Sequence, residues 1–323
     1  MTQIEQNTGP SGTDVPLPQS DALFRQMFEH HAAMMLLIDP EARIVLDANV
    51  AATRFYGYSR EVLRGMDVSR INAQPESEVM PQRQQAMNGE KSSFIFDHRL
   101  ANDEIRSVEV HISTIHYGGK NLFFSIIHDI TERKQLEEQI RNLAFYDPLT
   151  RLPNRRLLND RLAQAMPASK RSGRYAALMM LDLDDFKWVN DSYGHTVGDV
   201  LLVEAARRLK GCVREIDTVA RFGGDEFVVI LSPLDLDKDT STFHAHTVAE
   251  KVRVRLSEPY SLTIKQETGE TLPIEYACTP SIGVVVFTNH EATEEQVLKW
   301  ADTAMYQAKE QGGNQITFHN APL

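Results

Sequence analysis

Apolar residues fall into two rhythms along the chain: short runs bounded by turn residues, and longer stretches spaced by three and four. Near the N-terminus, "MMLLID" and "RIVLDAN" are short runs separated by the turn "PEA", which predicts two strands. A helix-like segment, "DALFRQMFEHH", precedes them, and two helical pieces, "NVAATRFYGYS" and "SEVMPQRQQAMNG", follow. Three more strand-like runs come next: "SSFIFDHRL", "IRSVEVHISTI" and "KNLFFSIIHDI", separated by the turn signals "ANDE" and "YGGK". Over 21–131 this order predicts one curved antiparallel sheet with helices on one face.

The rhythm changes at Thr131. The stretch "TERKQLEEQIRNLAF" carries Leu136, Ile140 and Leu143 at intervals of four and three, an apolar seam among charges. Thr131, followed by Glu and Gln residues, predicts an N-terminal helix cap. The seam over 132–146 has two readings: a helix packed on its own domain, or a short parallel coiled coil joining two copies of the chain.

From Asp147 the pattern mixes both rhythms. "DPLTRLPNRRLLNDRLAQAM" predicts a turn, then Asn154 as a cap, then a helix. "YAALMMLDLD" is an unbroken apolar run and predicts a buried strand. "GDVLLVEAARRLKGCV", "TFHAHTVAEKVRVRLS" and "TEEQVLKWADTAMYQAKEQ" predict helices. "TVARF" and "FVVILS" predict a hairpin, "YACTPSIGVVVF" a strand and "NQITFH" a last short one. The block 147–323 is therefore α+β, with one sheet and a hairpin in its centre.

Composition narrows the function classes. A length of 323 residues suggests two domains, and 42% hydrophobic residues suffice for buried cores. The formal net charge is −11 with no basic stripe, so nucleic acid is not an expected partner, while a small anion remains compatible. The two cysteines, Cys212 and Cys278, form neither a disulfide framework nor a metal cluster and fit a reducing cytosol. "MTQIEQNTGPSGTDVPLPQS", residues 1–20, lacks the features of a signal peptide and is expected to be a flexible tail. The apolar run Ala32–Ile38 is too short to cross a bilayer, so a cytoplasmic chain without membrane insertion is expected.

The stretch "VARFGGDEFVVIL" interrupts an apolar strand with two glycines and two carboxylates. Gly223 and Gly224 permit unusual backbone angles and let a bulky ligand approach. By themselves, Asp225 and Glu226 read as solvated turn residues. In "LMMLDLDDF", however, Asp182 and Asp184 sit at the end of an apolar run, on the same side of the strand by alternation. A carboxylate there is costly unless something positive meets it. If this strand lies beside the hairpin, Asp182 and Asp225 converge. Carboxylates without His or Cys suit a hard ion such as Mg²⁺, with phosphate as co-ligand. Two such ions about 3.5–4 Å apart can clamp the oxygens of a phosphoryl transfer.

Two resemblances follow. The first block is similar to PAS sensory domains in its strand–helices–three-strand order, in "DANVAATRFYGYSREVLRG" and in the exit "HDITERKQLEEQ". "RFGGDEF", "DLDDFKWVNDSYGHTVGD", "ADTAMYQAKEQGGN" and "DPLTRLPNRR" resemble the GGDEF diguanylate cyclases, over about Asp147 to Phe318. That resemblance implies a palm-like mixed sheet and the condensation of two GTP into cyclic di-GMP with release of two pyrophosphates. It implies a homodimer, because each such domain holds one GTP. It makes Asp182, the Leu183 carbonyl, Asp225 and Glu226 ligands of two Mg²⁺ or Mn²⁺ ions, with Asp225 and Glu226 catalytic. Gly223 and Gly224 would lie against the phosphates, and Lys187 and Lys309 would meet the triphosphate.

The resemblance also makes Asn190 and Asp199 the guanine-reading pair. The residues alone leave Asn190 as a turn residue and Asp199 as the N-cap of "VLLVEAARRLK". Arg214 and Asp217 form an RxxD pair that by itself suits a solvated helix face. Ahead of GGDEF it resembles the family's product-inhibitory site, where cyclic di-GMP acts as inhibitor, and Arg253 on the next helix is a further candidate. His195 reads as structural. Arg151 stands where the family usually has glycine, and Gly313 where many members have an arginine.

The PAS-like block leaves its ligand unknown. Its "SEVMPQRQQAMNG" helix has no histidine, against haem ligation, and the absence of cysteine excludes a flavin adduct. His98, His111, His116 and His128 read as structural. Two functional alternatives stand beside the cyclase: a catalytically silent receptor for GTP or cyclic di-GMP, and an interaction module using PAS dimerisation alone.

Overall fold

The structure is a computed structural model that describes residues 20–265, 271–288 and 292–319. The expected tail, apart from Ser20, lies outside the described residues. The chain divides into two compact units, Met1–Glu137 and Glu138–Leu323.

The first unit begins with α1 (Ser20–His30), β1 (Met34–Asp39), β2 (Ile44–Ala48), α2 (Val50–Tyr56) and α3 (Arg60–Leu63). A 3-10 turn (Val68–Arg70) and α4 (Glu76–Met87) lead to β3 (Ser93–Arg99), β4 (Ile105–Tyr117) and β5 (Lys120–Asp129). The sheet has the order β2-β1-β5-β4-β3, with each neighbouring pair antiparallel. Its buried face carries Leu36, Phe94, Phe96, Val108, Val110, Phe123 and Ile127 against Ala52, Tyr56, Ile71 and Val79. Gly118 and Gly119 both have positive φ, 58° and 78°, as the tight β4–β5 turn requires. Asn49 fixes where α2 starts: its side chain accepts from the Ala52 and Met35 amides and donates to the Ala33 carbonyl.

Helix α5 (Thr131–Phe145) contains the division between the units. Thr131 does not cap it as expected. The Lys134 amide donates to the Ile130 carbonyl, so Thr131 is already inside the first turn. Its hydroxyl accepts from the Ser107 amide at 2.9 Å and donates to the Ser107 carbonyl at 3.3 Å. The seam residues Leu136, Ile140 and Leu143 are 50%, 65% and 70% exposed. Helix α5 has no buried residue, so the seam is uncovered among the described residues.

The second unit comprises α6 (Arg155–Ser172), β6 (Ala176–Leu183), α7 (Phe186–Tyr193), α8 (His195–Cys212), β7 (Thr218–Gly223) and β8 (Glu226–Leu231). Then follow α9 (Lys238–Ser257), β9 (Tyr260–Lys265), β10 (Thr271–Tyr276), β11 (Pro280–Phe287), α10 (Glu294–Glu310) and β12 (Ile316–Phe318). The main sheet has the order β12-β11-β6-β8-β7, and β9 pairs with β10 in a separate two-stranded sheet. Only β11–β12 is parallel within the main sheet. The β7–β8 hairpin thus lies at an edge, not in the centre: β11 occupies the far side of β6 and makes β6 the middle strand.

Every residue of β6 is buried because helices cover both faces. Ala177, Met179, Leu181 and Leu183 face Leu201, Ala205, Ala249 and Val252 of α8 and α9. Ala176, Leu178 and Met180 face Leu158 and Leu162 of α6 and Val297, Ala301 and Met305 of α10. Gly283 in β11 permits the tightest of these contacts. A Cβ there would stand 2.1 Å from the Ala301 carbonyl oxygen and 2.2 Å from the Met305 nitrogen, so α10 rests on the strand backbone.

Candidate active site

The hairpin and the middle strand bring three carboxylates to one end of the sheet. Asp182 and Glu226 are direct partners across β6 and β8, and Asp225 occupies the turn just before Glu226. Gly224 in that turn has φ +51°, a conformation that suits glycine, and the register shifts between Arg221 and Gly223. Leu183 ends β6 with its side chain buried, so its backbone is the part it can offer a ligand.

The turn is held from outside by a residue pair the sequence reading missed. The Arg221 guanidinium donates to the Gly224 carbonyl at 2.8 Å and to both carboxylate oxygens of Asp147 at 3.0 and 3.2 Å. Asp147 also accepts from the Thr150 amide and hydroxyl. Burial raises the Asp147 pKa, but these donors and Arg221 hold it below the usual range. Both side chains of the pair are mostly buried. An Asp and an Arg 74 residues apart carry no periodic signal.

Crowding sets the electrostatics. Asp182 is 7% exposed, and its pKa is pushed up to about 6, first by burial and then by Asp225 and Glu226. Lys309 opposes this: its Nζ lies 2.7 Å from Asp182 Oδ1. Glu226 is also raised, by burial and then by Asp225 and Asp302. Among the described residues, no three His, Cys, Asp or Glu side chains are grouped to close on one ion. The donor set still fits a hard divalent cation in type. It consists of oxygens alone, and a cation would relieve the repulsion that raises Asp182 and Glu226. The charge facing Asp182 in this arrangement is the Lys309 ammonium.

Asp184 does not join the cluster. It accepts from the hydroxyls of Thr279 (2.6 Å) and Ser281 (2.7 Å) and from the Asn314 amide (2.9 Å). Gly313 passes over the same carboxylate with φ +72°, and a Cβ there would lie 2.9 Å from Asp184 Oδ2. The glycine at this position is therefore built into the turn.

On α7, Lys187 is exposed and Asn190 half-buried one turn further on. Asn190 lies inside a helix rather than a turn. Asp199 is exposed on α8 and does not cap it, since the helix begins at His195 after Gly194. The two come to one α7–α8 junction, where Gly198 packs directly on the Asn190 side chain. His195 is exposed at the start of α8.

Arg214 and Asp217 close a short turn: the Arg214 amide donates to Asp217 Oδ2 at 2.9 Å. They line a cavity of about 270 Å³ together with His244, Thr247 and Lys251 of α9. Arg253 does not belong there, because its guanidinium is held by Glu250 and by Asn314 Oδ1. The spacing of His244, Thr247 and Lys251 by three and four was the signal available for the face of α9 that lines this cavity.

Comparison with known proteins places this geometry among relatives. Residues 144–315 match the family model described as diguanylate cyclase, GGDEF domain, and residues 32–132 match a PAS domain model. Diguanylate cyclase DgcM of Escherichia coli (strain K12) is 34% identical over 302 residues, spanning 92% of this chain and 69% of that protein. Diguanylate cyclase TpbB of Pseudomonas aeruginosa (strain UCBPP-PA14) is 36% identical, spanning 55% of this chain and 39% of its own length. Among solved structures, the coiled coil and GGDEF domain of DgcB from Caulobacter crescentus, in complex with c-di-GMP, aligns with a TM-score of 0.50 and 29% identity. That alignment covers 58% of this chain and 93% of DgcB's solved chain.

Proposed function

The chain belongs to the GGDEF diguanylate cyclase family and carries a PAS domain ahead of its GGDEF domain, and from that membership we propose that it is a sensor-regulated diguanylate cyclase. It condenses two GTP into cyclic di-GMP and two pyrophosphates. The ribose 3′-oxygen of one GTP attacks the α-phosphorus of the other. The new O3′–Pα bond forms as the bond from Pα to the β-phosphate bridging oxygen breaks, and pyrophosphate leaves. The reciprocal attack closes the ring.

Asp182, Asp225, Glu226 and the Leu183 carbonyl are the groups that would hold two Mg²⁺ or Mn²⁺ ions. When bound, such ions neutralise the triphosphate and stabilise the charge on the leaving oxygen. Glu226, raised by burial and by its acidic neighbours, is the chain's own group placed to take the 3′-hydroxyl proton. Asn190 and Asp199 orient guanine; a carboxylate accepts both N1–H and N2–H, which adenine does not present. Lys187 and Lys309 meet the triphosphate, and Gly223 and Gly224 leave the phosphates room. Lys309 exchanges Asp182 for phosphate when substrate enters.

Each GGDEF domain holds one GTP, so the active form is a homodimer, joined through 132–146 with the seam of Leu136, Ile140 and Leu143 as its contact. The sensory part is 21–131 and the catalytic part 147–323. The product acts back through Arg214 and Asp217, whose groove also carries Lys251 and His244 for phosphate oxygens. The setting is cytoplasmic, where GTP is available. No described helix is long and apolar enough to cross a membrane.

The observation that carries this reading is the register pairing of Asp182 with Glu226 beside the Asp225 turn. A second reading, a silent receptor for GTP or cyclic di-GMP, is favoured by Lys309 sitting on Asp182 and by Gly313 replacing a phosphate-binding arginine. Incubation with GTP and Mg²⁺, followed by chromatography, separates the two. The cyclase yields cyclic di-GMP, and Asp225→Ala abolishes it. Nucleotide binding without product, with Mg²⁺ or Mn²⁺ alike, establishes the receptor instead.

A further inference from the structure

Helix α6 opens with two arginines, Arg155 and Arg156, and its first turn has no acidic residue. A cation in that turn is opposed by the helix dipole, so two in succession cost stability. Each is laid on an aromatic ring. The Arg156 guanidinium carbon lies 5.1 Å from the ring centre of Phe145 at the end of α5. That of Arg155 lies 4.4 Å from the ring centre of Phe222 on β7. The backbone fixes both placements. Asn154 donates to the Ala144 carbonyl through its side chain and to the Phe145 carbonyl through its amide. The Arg221 amide donates to the Pro153 carbonyl at 2.9 Å. The start of α6 is thereby wedged between the last turn of α5 and the hairpin that leads to Asp225.

Arg155 is exposed and forms no ion pair among the described residues. The Asp147 carboxylate at the same junction is taken by Arg221. The charge of Arg155 is nevertheless felt at the site, where with Lys309 it opposes the upward shift of Glu226. Phe222 lies on β7, two strands from Asp182 on β6, which is about 10 Å at the usual strand spacing. Lys187 and Asn190 lie on α7, which follows β6. Arg155 therefore stands at the rim of the site, on the side where α5 enters, and not over the position of this copy's own guanine.

We propose that Arg155 completes the substrate site of a second copy of this chain, its guanidinium binding a phosphate of the GTP held there. The inference rests on the cyclase reading, in which two copies pair through α5 and their GTP molecules face each other. Pairing through Ile140 and Leu143 brings both α5 ends, and the Arg155 beside each, toward the two-fold axis. A guanidinium keeps its protons and donates two parallel hydrogen bonds to one phosphate. As the O3′–Pα bond forms and the bond from Pα to the bridging oxygen breaks, the electron pair moves onto the departing pyrophosphate. The cation reaching over from the other copy meets that growing charge. Lys187 and Lys309 of each copy remain for its own triphosphate.

The test uses the full chain with Mg²⁺ and the non-reacting α,β-methylene analogue of GTP, and follows the monomer–dimer equilibrium by sedimentation. The analogue should tighten the wild-type dimer about tenfold or more. Arg155→Gln, which keeps a stem over Phe222, should cut that gain to less than about twofold, while dilute monomer binds the analogue within about twofold of wild type. With GTP, kcat should fall about a hundredfold or more, and Arg155→Lys should recover part of it. An undiminished gain in dimerisation, or an unchanged kcat, overturns the assignment. Equal weakening in monomer and dimer places the contact within one copy and overturns it too. If wild type makes no cyclic di-GMP but the analogue still tightens the dimer only when Arg155 is present, the cyclase reading fails and the contact between copies stands.

Discussion

Gly198 of α8 lies so close to Asn190 of α7 that a Cβ added there would stand 2.0 Å from the Asn190 Oδ1 and 3.2 Å from Phe186 Cζ. The absence of a side chain at one position therefore fixes the rotamer at another. Gly198→Ala should push the Asn190 side chain out of its place at the α7–α8 junction. The expected result is a rise in the KM for GTP of about tenfold or more, with loss of preference over ATP. Cyclase assays with both nucleotides measure this. In an Asn190→Ala background the same alanine should change KM less than twofold or so, because the two residues act as one unit.

Arg221 ties the Gly224 carbonyl to Asp147. Arg221→Ala should free the turn that carries Asp225 and leave the mostly buried Asp147 carboxylate without its cation, with only the Thr150 donors remaining. The expected loss is about 3 kcal/mol of stability for the second unit, with kcat falling about tenfold or more through misplacement of Asp225. Urea denaturation and steady-state assays report the two effects separately.

Arg151 replaces a glycine usual in the family but keeps φ at +58°, the left-handed region in which a Cβ is strained. Arg151→Gly should relieve that strain, less the extra freedom glycine gains when unfolded. A net stabilisation of about 0.5–1 kcal/mol is expected, read as a rise in the denaturation midpoint. An unchanged or lower midpoint would mean that the arginine side chain compensates for its backbone.

Burial lowers the His98 pKa from 6.5 to about 4, so the folded first unit holds the ring neutral while the unfolded chain protonates it. Between pH 6.5 and about 4 the unfolded state binds more protons, and stability falls as pH falls. The full benefit is present above pH 6.5, and the loss reaches about 3 kcal/mol near pH 4. Urea denaturation followed by NMR signals of β3 and β4 should show this slope. His98→Gln, which keeps a partner for the Tyr56 hydroxyl, should flatten it.

Much of this organisation is legible in the sequence because it is local. The five strands of the first unit announce themselves by apolar runs and by turns such as that at Gly118 and Gly119. Asn154 caps α6 as its chemistry predicts, with its Oδ1 accepting from the Arg156 and Leu157 amides. What the chain hides is set by distant partners. β9, YSLTIK, does alternate apolar and polar residues as a strand should, but Pro273 inside TLPIEY obscures the partner strand β10, and the two pair only with each other. The hairpin's place at the sheet edge depends on β11, about fifty residues later. Asp184 looks equivalent to Asp182 by alternation, but Thr279, Ser281 and Asn314 claim it. Arg253 looks suited to the Arg214 groove until the rotation of α9 turns Lys251 and His244 there instead. Gly313 resembles a simple loss of an arginine, whereas its φ and the nearness of Asp184 leave little room for any side chain.

The seat of α10 on the backbone at Gly283 also limits how Lys309 can respond to a nucleotide. With no side chain between helix and strand, the helix has no cushion to slide on, and its shift would drag the middle of the sheet with it. Lys309 is anchored to what amounts to a fixed arm. In the proposed cyclase, its travel from carboxylate to phosphate would come from the swing of its own methylene stem rather than from a shift of the helix.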